Sequence, residues 1–115
     1  MNLARGRIVV VALDPTRGHE QRGLRPCVVV SSSSVTNDQR YGLVAVVPVT
    51  STQGEGLLYP KISPRSSGLR RNSWALVDQV RSVDKRRVSG VHGAVAPEEL
   101  AAIDEALRAF LGLAR

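Results

Sequence analysis

The sequence predicts an α+β domain or a small β-barrel capped by one C-terminal helix. Three observations predict this class: short β-branched runs recur from residue 7 onward, proline, glycine and polar residues separate them, and clear helical periodicity appears only after residue 96. The 115 residues fit the usual size of one domain, so we expect residues 1–115 to form a single unit.

Three apolar runs predict the first strands. Residues 7–13 (RIVVVAL) are continuous and β-branched, which is typical of a strand buried on both faces. Residues 26–32 (PCVVVSS) and 42–50 (GLVAVVPVT) predict the second and third strands. Pro48 has no N–H to donate, so it indicates an edge position or a bulge.

The following segments are less regular. Residues 57–62 predict a short strand that Pro60 weakens, and residues 73–80 (SWALVDQV) predict a fourth long strand. Residues 81–87 are charged and predict a turn, and residues 88–95 predict a last short strand. The remaining polar stretches, predicted as loops, are residues 31–41, 50–56 and 63–72.

The C-terminal segment predicts a helix that runs from Pro97 to about Leu113. Proline suits the first helical turn, and Glu98 and Glu99 suit the positive end of the helix dipole. Apolar residues recur on one face at helical spacing, and these are Leu100, Ile103, Leu107, Phe110 and Leu111. We expect this face to pack on the sheet or on a partner.

The charge is strongly positive. Sixteen Lys and Arg residues oppose ten Asp and Glu, and only Lys61 and Lys85 are lysines. Because the arginine fork matches phosphate oxygens, the composition favours a polyanionic partner, although a solvated basic surface explains it equally well. Cys27 is the only cysteine, which excludes an internal disulfide and predicts a core residue. No apolar run is long enough for a membrane span, so we expect a cytoplasmic protein without membrane association.

Residues 14–26 (DPTRGHEQRGLRP) form the most unusual stretch. It is either a polar connection between two strands or a binding loop. As a binding loop, it brings together side chains for base edges (Glu20, Gln21), for phosphates (Arg17, Arg22, Arg25) and for proton transfer near neutral pH (His19). We favour the binding loop.

Other polar residues are weaker candidates. The hydroxyls of residues 49–54 (VTSTQG) are more typical of a turn than of a ligand site. Asp78, Gln79 and Arg81 indicate a solvated strand edge as readily as a site. No phosphate-binding loop, nucleophile elbow or cluster at metal-ligand spacing is present, so we expect neither a metal nor another cofactor.

Four motifs in order resemble the MazF/PemK family of toxin endoribonucleases (mRNA interferases). They are LDPTRGHEQRGLRPCVVVS, VVPVTS, ALVDQVRSVDKRR and APEELAAIDEAL, and the resemblance covers residues 5–113. It implies an SH3-like barrel of the CcdB/MazF type with a C-terminal helix, usually in a homodimer. It also implies metal-independent, sequence-specific cleavage of single-stranded RNA through attack of its 2′-hydroxyl. The implied inhibitor is the acidic C-terminal segment of a MazE-like antitoxin.

The resemblance also implies roles for individual residues. The family's catalytic arginine and threonine fall on Arg25 and Thr50. The PemK branch uses a histidine, an arginine and an aspartate, of which His19 and Asp78 are present, but Leu76 occupies the arginine position. We therefore assign His19 and Asp78 secondary roles. The residues expected to bind RNA are Arg17, Glu20, Gln21, Arg22, Ser51, Thr52, Gln79 and Arg81.

Two alternatives remain open from the sequence. The CcdB toxins resemble this fold and poison gyrase by binding a protein, although the loop and the PVTS motif belong to the nuclease branch. A basic barrel that binds nucleic acid without cutting it is the second alternative.

Overall fold

The computed structural model describes residues 2–114 as a curled antiparallel sheet, a half-barrel, with a long helix at its C-terminus. This confirms the predicted fold class. The seven strands are β1 (Arg7–Ala12), β2 (Leu24–Val29), β3 (Leu43–Thr50), β4 (Lys61–Ile62), β5 (Ser73–Ala75), β6 (Arg81–Asp84) and β7 (Val88–Ala94). The helices are α1 (Ser33–Thr36), α2 (Pro64–Ser67) and α3 (Pro97–Leu111).

The strands form one sheet in the order β4-β5-β3-β2-β1-β7, and β6 also pairs with β3. Strand β3 is the centre of this arrangement. It pairs with β2 along one side, and along the other side it pairs first with β6 and then with β5. The C-terminal end of β3 therefore contacts both β2 and β5, which brings distant parts of the sequence together.

Both faces of the central strands are buried, which explains their continuous apolar runs. In β2 the alternate residues enter different clusters: Val28 packs with α3 on one face, whereas Cys27 and Val29 pack in the second cluster on the other face. Ile103 of α3 is fully buried in the first cluster. A strand buried on both sides shows no polar alternation, as predicted for residues 7–13.

The predicted long strand at residues 73–80 is wrong. The chain forms β5, then a 3₁₀ turn at Val77–Gln79, and then β6, so Asp78 and Gln79 lie in a turn. Ala75 pairs with Val49 and Arg81 pairs with Val46. Six positions of this segment therefore span the length of three positions of β3, which leaves extra residues between β5 and β6. The predicted turn at residues 81–87 is correspondingly too long, because its first four residues are β6.

Pro48 explains where this irregularity lies. The prediction of an edge position is wrong, because β3 is paired on both sides. The irregularity that proline favours is present in the opposite segment instead. Leu76 donates its N–H to the Pro48 carbonyl over 2.8 Å, and Pro48 has no N–H to offer in return. The ladder breaks there, and the 3₁₀ turn takes up the extra residues.

Smaller differences concern the connections. Two segments predicted as loops contain the single helical turns α1 and α2, and only Lys61–Ile62 of the predicted strand at residues 57–62 is extended. Such short elements have too few residues to show a period, so sequence patterning does not detect them.

Helix α3 begins as predicted and is fixed at its start by Glu99. This side chain accepts hydrogen bonds from the backbone N–H of Ala96 (2.8 Å) and of Ser63 (2.7 Å), which joins the helix to the segment before α2. Farther along, Asp104 forms an ion pair with Arg5. Among residues 2–114, no helix is long and apolar enough to cross a membrane.

Cys27 is a buried core residue, as predicted. Burial raises the pKa of its thiol to about 12, against a weaker opposing influence of Arg81. A thiol that stays protonated at neutral pH is a poor nucleophile, so Cys27 has a packing role.

Candidate active site

The loop between β1 and β2 is closed by its own hydrogen bonds. Leu13 donates its N–H to the Gly23 carbonyl (3.0 Å), and Gly23 donates its N–H to the Asp14 carboxylate (3.1 Å). Gly23 has a φ of +78°, a conformation that a residue with a side chain adopts at a cost. Within the loop, Arg17 donates its N–H to the Glu20 carboxylate over 3.0 Å. The loop is therefore an ordered arm.

Gln79 attaches this arm to the 3₁₀ turn. Its side-chain oxygen accepts from the N–H of Gln21 (2.7 Å), and its side-chain amide donates to the carbonyl of His19 (3.2 Å). Arg81 adds a bond from its guanidinium to the Leu13 carbonyl at 3.0 Å. These contacts with the chain itself set the position of the loop, and the role of Gln79 and Arg81 in binding RNA stays a prediction.

Arg25 lies near the start of β2, and Thr50 is the last residue of the neighbouring strand β3. Cys27 of β2 faces Pro48 of β3. Continuing this antiparallel register by two residues puts Arg25 opposite Thr50, on the same face of the sheet. The register therefore directs the two residues that the family resemblance selects toward the same end of the sheet, although 25 positions separate them in the sequence.

The hydrogen bonds of this pair leave reactive groups for a ligand. Arg25 is exposed, and its Nε donates to the Arg22 carbonyl at 2.9 Å, which orients the guanidinium. Thr50 Oγ1 accepts from the N–H of Thr52 at 3.1 Å, so its own O–H is available to donate. A cation and a neutral donor at the same end of the sheet suit an anionic group such as a phosphate.

Two cavities lie beside the hydrogen bonds by which Gln79 joins the loop to the 3₁₀ turn. Both are lined by Gln21, Asp78 and Gln79. The first, of about 400 Å³, is also lined by Leu13, Glu20, Pro48, Val80 and Arg81. The second, of about 340 Å³, is also lined by Thr50, Thr52, Gln53, Gly54, Tyr59 and Leu76. Together they form a groove beside the end of β3.

The structure thus gathers seven of the twelve predicted site residues around the groove and places five outside its lining. The five are Arg17, His19, Arg22, Arg25 and Ser51, all of them exposed. The Glu20 carboxylate lies 3.9 Å from the Arg81 guanidinium, a partly exposed pair that contributes little to stability.

Tyr59 is a site residue that the sequence did not indicate. Its O–H donates to Oδ2 of Asp78 over 2.7 Å, and this hydrogen bond raises the pKa of the tyrosine. The other oxygen, Oδ1, is buried and accepts no hydrogen bond from the described residues. Nineteen positions separate the two residues, and the irregular segment before β4 carries no pattern from which their contact could be predicted.

We expect Gln79→Ala to loosen the loop without unfolding the protein. The substitution removes two hydrogen bonds to the arm, each worth about 0.5–1.5 kcal/mol, so the Gln21 amide should exchange roughly 5- to 100-fold faster. Hydrogen exchange of the 14–23 peptide measures this. Gln53→Ala, in the neighbouring loop, is the matched control. Unchanged protection of Gln21 in the Gln79 variant would contradict the assignment.

A profile of the PemK-like, MazF-like toxins of type II toxin–antitoxin systems matches residues 4–111. The chain is 39% identical over 108 residues to the endoribonuclease toxin MazF of Escherichia coli, covering 93% of this chain and 92% of that protein. It is 38% identical over 117 residues to endoribonuclease MazF9 of Mycobacterium tuberculosis, covering 96% and 98%.

The solved structures agree with the sequence relatives. MazF from Deinococcus radiodurans superposes with a TM-score of 0.82 at 28% identity, covering 95% of this chain and 96% of that one. Nothing in these comparisons supports the alternative of a gyrase poison. The match of one family over nearly the whole chain, in sequence and in fold, shows that this protein belongs to the PemK-like, MazF-like toxins of type II toxin–antitoxin systems.

Proposed function

We propose that this chain, a toxin endoribonuclease of the MazF type, cleaves single-stranded RNA where β2 and β3 end, with Arg25 and Thr50 at the reacting phosphate. The observation that supports the proposal is the register of β2 and β3, which, continued past its last recorded pair, directs Arg25 toward Thr50, a residue of the groove lining. A cation beside a hydroxyl donor is the arrangement that phosphoryl chemistry without a bound metal needs.

The reaction uses the 2′-hydroxyl of the substrate. Its oxygen attacks the adjacent phosphorus, the bond from phosphorus to the 5′-oxygen breaks, and the products are a 2′,3′-cyclic phosphate and a 5′-hydroxyl. The 2′-hydroxyl loses one proton and the leaving 5′-oxygen gains one. Arg25 stabilises the charge that develops on the phosphate oxygens, and Thr50 donates to one of them.

Arg25 is not the base in this scheme, because arginine keeps its proton far above neutral pH. His19 and Asp78 have secondary roles. His19 is exposed on the loop, and its backbone carbonyl is held by Gln79, so its imidazole is free to approach a ribose or phosphate. Asp78 lies deeper, in the wall shared by both cavities.

The RNA would lie along the groove and over the loop. The exposed guanidiniums of Arg17 and Arg22 contact phosphates, and Ser51 and Thr52 add hydroxyl donors beside Thr50. Further contacts come from Glu20, Gln21, Gln79 and Arg81, which line the first cavity. The formal net charge of +6 favours a polyanion along the whole path. We place the reaction in the cytoplasm, where messenger RNA is translated.

Cleavage of one oligoribonucleotide in EDTA, beside the DNA of the same sequence, tests this function. We expect cuts in the RNA with cyclic-phosphate ends and none in the DNA, which lacks the 2′-hydroxyl. Binding of both without cutting would identify the non-catalytic barrel instead. Inhibition of gyrase with intact RNA would identify the gyrase poison.

We propose that two copies assemble through α3. The end of this helix is apolar and exposed, with Phe110 44%, Leu111 53% and Leu113 58% accessible. Phe110 and Leu111 follow Ile103 by seven and eight residues and continue the face that Ile103 buries, whereas Leu113 lies just after the helix. One half-barrel therefore leaves part of the helix uncovered. Light scattering should give a dimer mass at micromolar concentration, and Leu111→Glu should shift it toward the monomer. A monomer at that concentration in the unaltered protein would contradict the proposal.

We expect the acidic C-terminal segment of a MazE-like antitoxin to compete with RNA for the groove. Both ligands are polyanions, and the exposed arginines of the loop attract either one. Displacement of a fluorescent, uncleaved RNA by the antitoxin segment measures the competition. Both affinities should fall as salt is raised, because exposed charges are screened beyond about 8 Å at physiological ionic strength. Simultaneous binding of RNA and the antitoxin segment to one protomer would contradict this prediction.

A further inference from the structure

The carboxylate of Asp78 has one oxygen in use and one that is not satisfied by the described residues. Oδ2 accepts from Tyr59, whereas Oδ1 is buried and accepts no hydrogen bond from residues 2–114. Asp78 lines both cavities of the groove, and the second of them also reaches Thr50. A buried carboxylate oxygen without a donor is costly in a folded protein, which points to a ligand that supplies the donor.

The backbone holds this pair rigidly. Val77, beside Asp78, donates its N–H to the Leu58 carbonyl at 3.1 Å, which ties the 3₁₀ turn to the residue before Tyr59. On the other side, Gly54 packs so closely that an added Cβ would lie 2.8 Å from the Tyr59 Cβ. The acceptor therefore keeps a fixed position, as discrimination between similar ligands requires.

The chemistry of the acceptor limits what it binds. An ionised carboxylate only accepts hydrogen bonds, and it repels phosphate. In single-stranded RNA the donors are the ribose hydroxyl, which every nucleotide has, and the N–H groups of the base edges, which differ between bases. Asp78 as a whole is only half-buried, so a small rotation of its carboxylate presents Oδ1 to the cavity of about 340 Å³, where a planar base that carries an exocyclic amino group can donate to it.

We propose that Asp78, oriented by Tyr59, reads the exocyclic amino group of one base next to the scissile phosphate and so sets part of the cleavage sequence. This inference rests on the proposed ribonuclease function and assigns Asp78 a role in specificity. A base without the amino group leaves Oδ1 unpaired, so we expect about 10- to 100-fold slower cleavage at that position.

The first experiment sequences the cuts in a randomised RNA library. The wild type should restrict one position near the cut to amino-bearing bases. In Asp78→Asn the remaining oxygen can accept from Tyr59, which puts the NH₂ donor at the Oδ1 position, so the restriction should disappear or shift to bases with a carbonyl there. Tyr59→Phe keeps the carboxylate but frees its orientation and should weaken the preference several-fold. Asp38→Asn is the matched control, because Asp38 lies outside both cavities.

The second experiment measures binding without chemistry. A 2′-deoxy substitution at the scissile ribose blocks cleavage, and the recognised base is compared with its analogue that lacks the amino group: inosine for guanosine, purine riboside for adenosine, or pyrimidin-2-one riboside for cytidine. The wild type should bind the amino form about 10- to 100-fold more tightly, and Asp78→Asn should bind both forms equally.

The outcomes separate this inference from the function on which it rests. If no RNA is cut by the wild type, the proposed function fails. If RNA is cut and Asp78→Asn shows the wild-type base preference at every position, only the role of Asp78 is overturned. Slow cleavage by a folded Asp78→Asn variant with unchanged preference would make Asp78 part of the chemistry instead. A melting curve establishes that the variant is folded, and Tyr59→Phe repeats the test with the carboxylate intact.

Discussion

Replacing Arg25 with alanine should lower the rate of single-turnover RNA cleavage by about 10²–10³-fold and leave the fold intact. The side chain is exposed at the end of β2, and its hydrogen bond, from Nε to the Arg22 carbonyl, is local. Its loss therefore costs the folded state little. The developing charge on the phosphate, in contrast, loses a fixed cation, for which a typical penalty is about 3–4 kcal/mol in the transition state.

Further variants separate the roles at this site. Arg25→Lys keeps the charge but loses the planar fork, so it should restore little activity. Thr50→Ala removes one neutral donor and should cost less than Arg25→Ala. His19→Ala should have a smaller effect that appears mainly in KM. Arg65→Ala, an exposed arginine of α2, is the matched control for charge.

The measurement is single-turnover cleavage of one oligoribonucleotide from acid to alkaline pH. A wild-type rate that depends on pH, and a His19→Ala variant that lacks this dependence, would give the histidine a part in proton transfer. An inactive His19→Ala variant beside an active Arg25→Ala variant would overturn the assignment and replace it with a mechanism based on histidine.

The regular part of the fold could be predicted from the sequence because its cause is local. Strands β1, β2 and β3 are continuous apolar runs since each is buried on both faces, and α3 combines Pro97 with a period of 3.6 residues. The segment from β5 to β6 could not be predicted. Its break depends on Pro48 of another strand, which has no N–H at the point where the two segments meet.

The candidate site also has a part that the sequence could predict and a part that it could not. Arg25 and Thr50 follow from motifs. Thr50 ends a predicted strand, whereas Arg25 lies in β2 one residue before the strand predicted at residues 26–32. The contact between Tyr59 and Asp78 depends on side-chain directions across an irregular segment, which no periodicity encodes. The attachment of the loop by Gln79 could not be predicted either, because its two hydrogen bonds depend on the 3₁₀ turn that the sequence did not reveal.

The largest effect on stability is expected from Gly93→Ala in β7. A Cβ at this position would lie 2.2 Å from the backbone oxygen of Ser66 and 2.9 Å from the carbonyl carbon of Ser67. Both atoms belong to α2, whose Ser66 hydroxyl also donates to the Ala94 carbonyl at 2.9 Å. The clash is with backbone, so no side-chain rotation relieves it, and α2 must move away from β7 and break that bond.

We expect Gly93→Ala to lower the free energy of unfolding by about 3 kcal/mol, the upper part of the usual range for overpacking. Domains of this size lose about 4–8 °C of Tm per kcal/mol, so the melting temperature should fall by roughly 10–20 °C. Gly90→Ala is the matched control on the same strand, since a Cβ at Gly90 meets nothing within 4 Å. It should change stability by less than about 1 kcal/mol.

Thermal melts of both variants at one protein concentration make the comparison, because dimerisation would make Tm depend on concentration. A Gly93→Ala variant with the same melting temperature as the wild type would mean that α2 does not pack against β7 as closely as the structure shows. Equal losses in both variants would mean that the cost is a general one of replacing glycine in β7. Only a loss of stability confined to Gly93→Ala attributes the cost to the contact with α2. Below its transition the folded Gly93→Ala variant should still cleave RNA, because β7 and α2 supply none of the residues that line the groove.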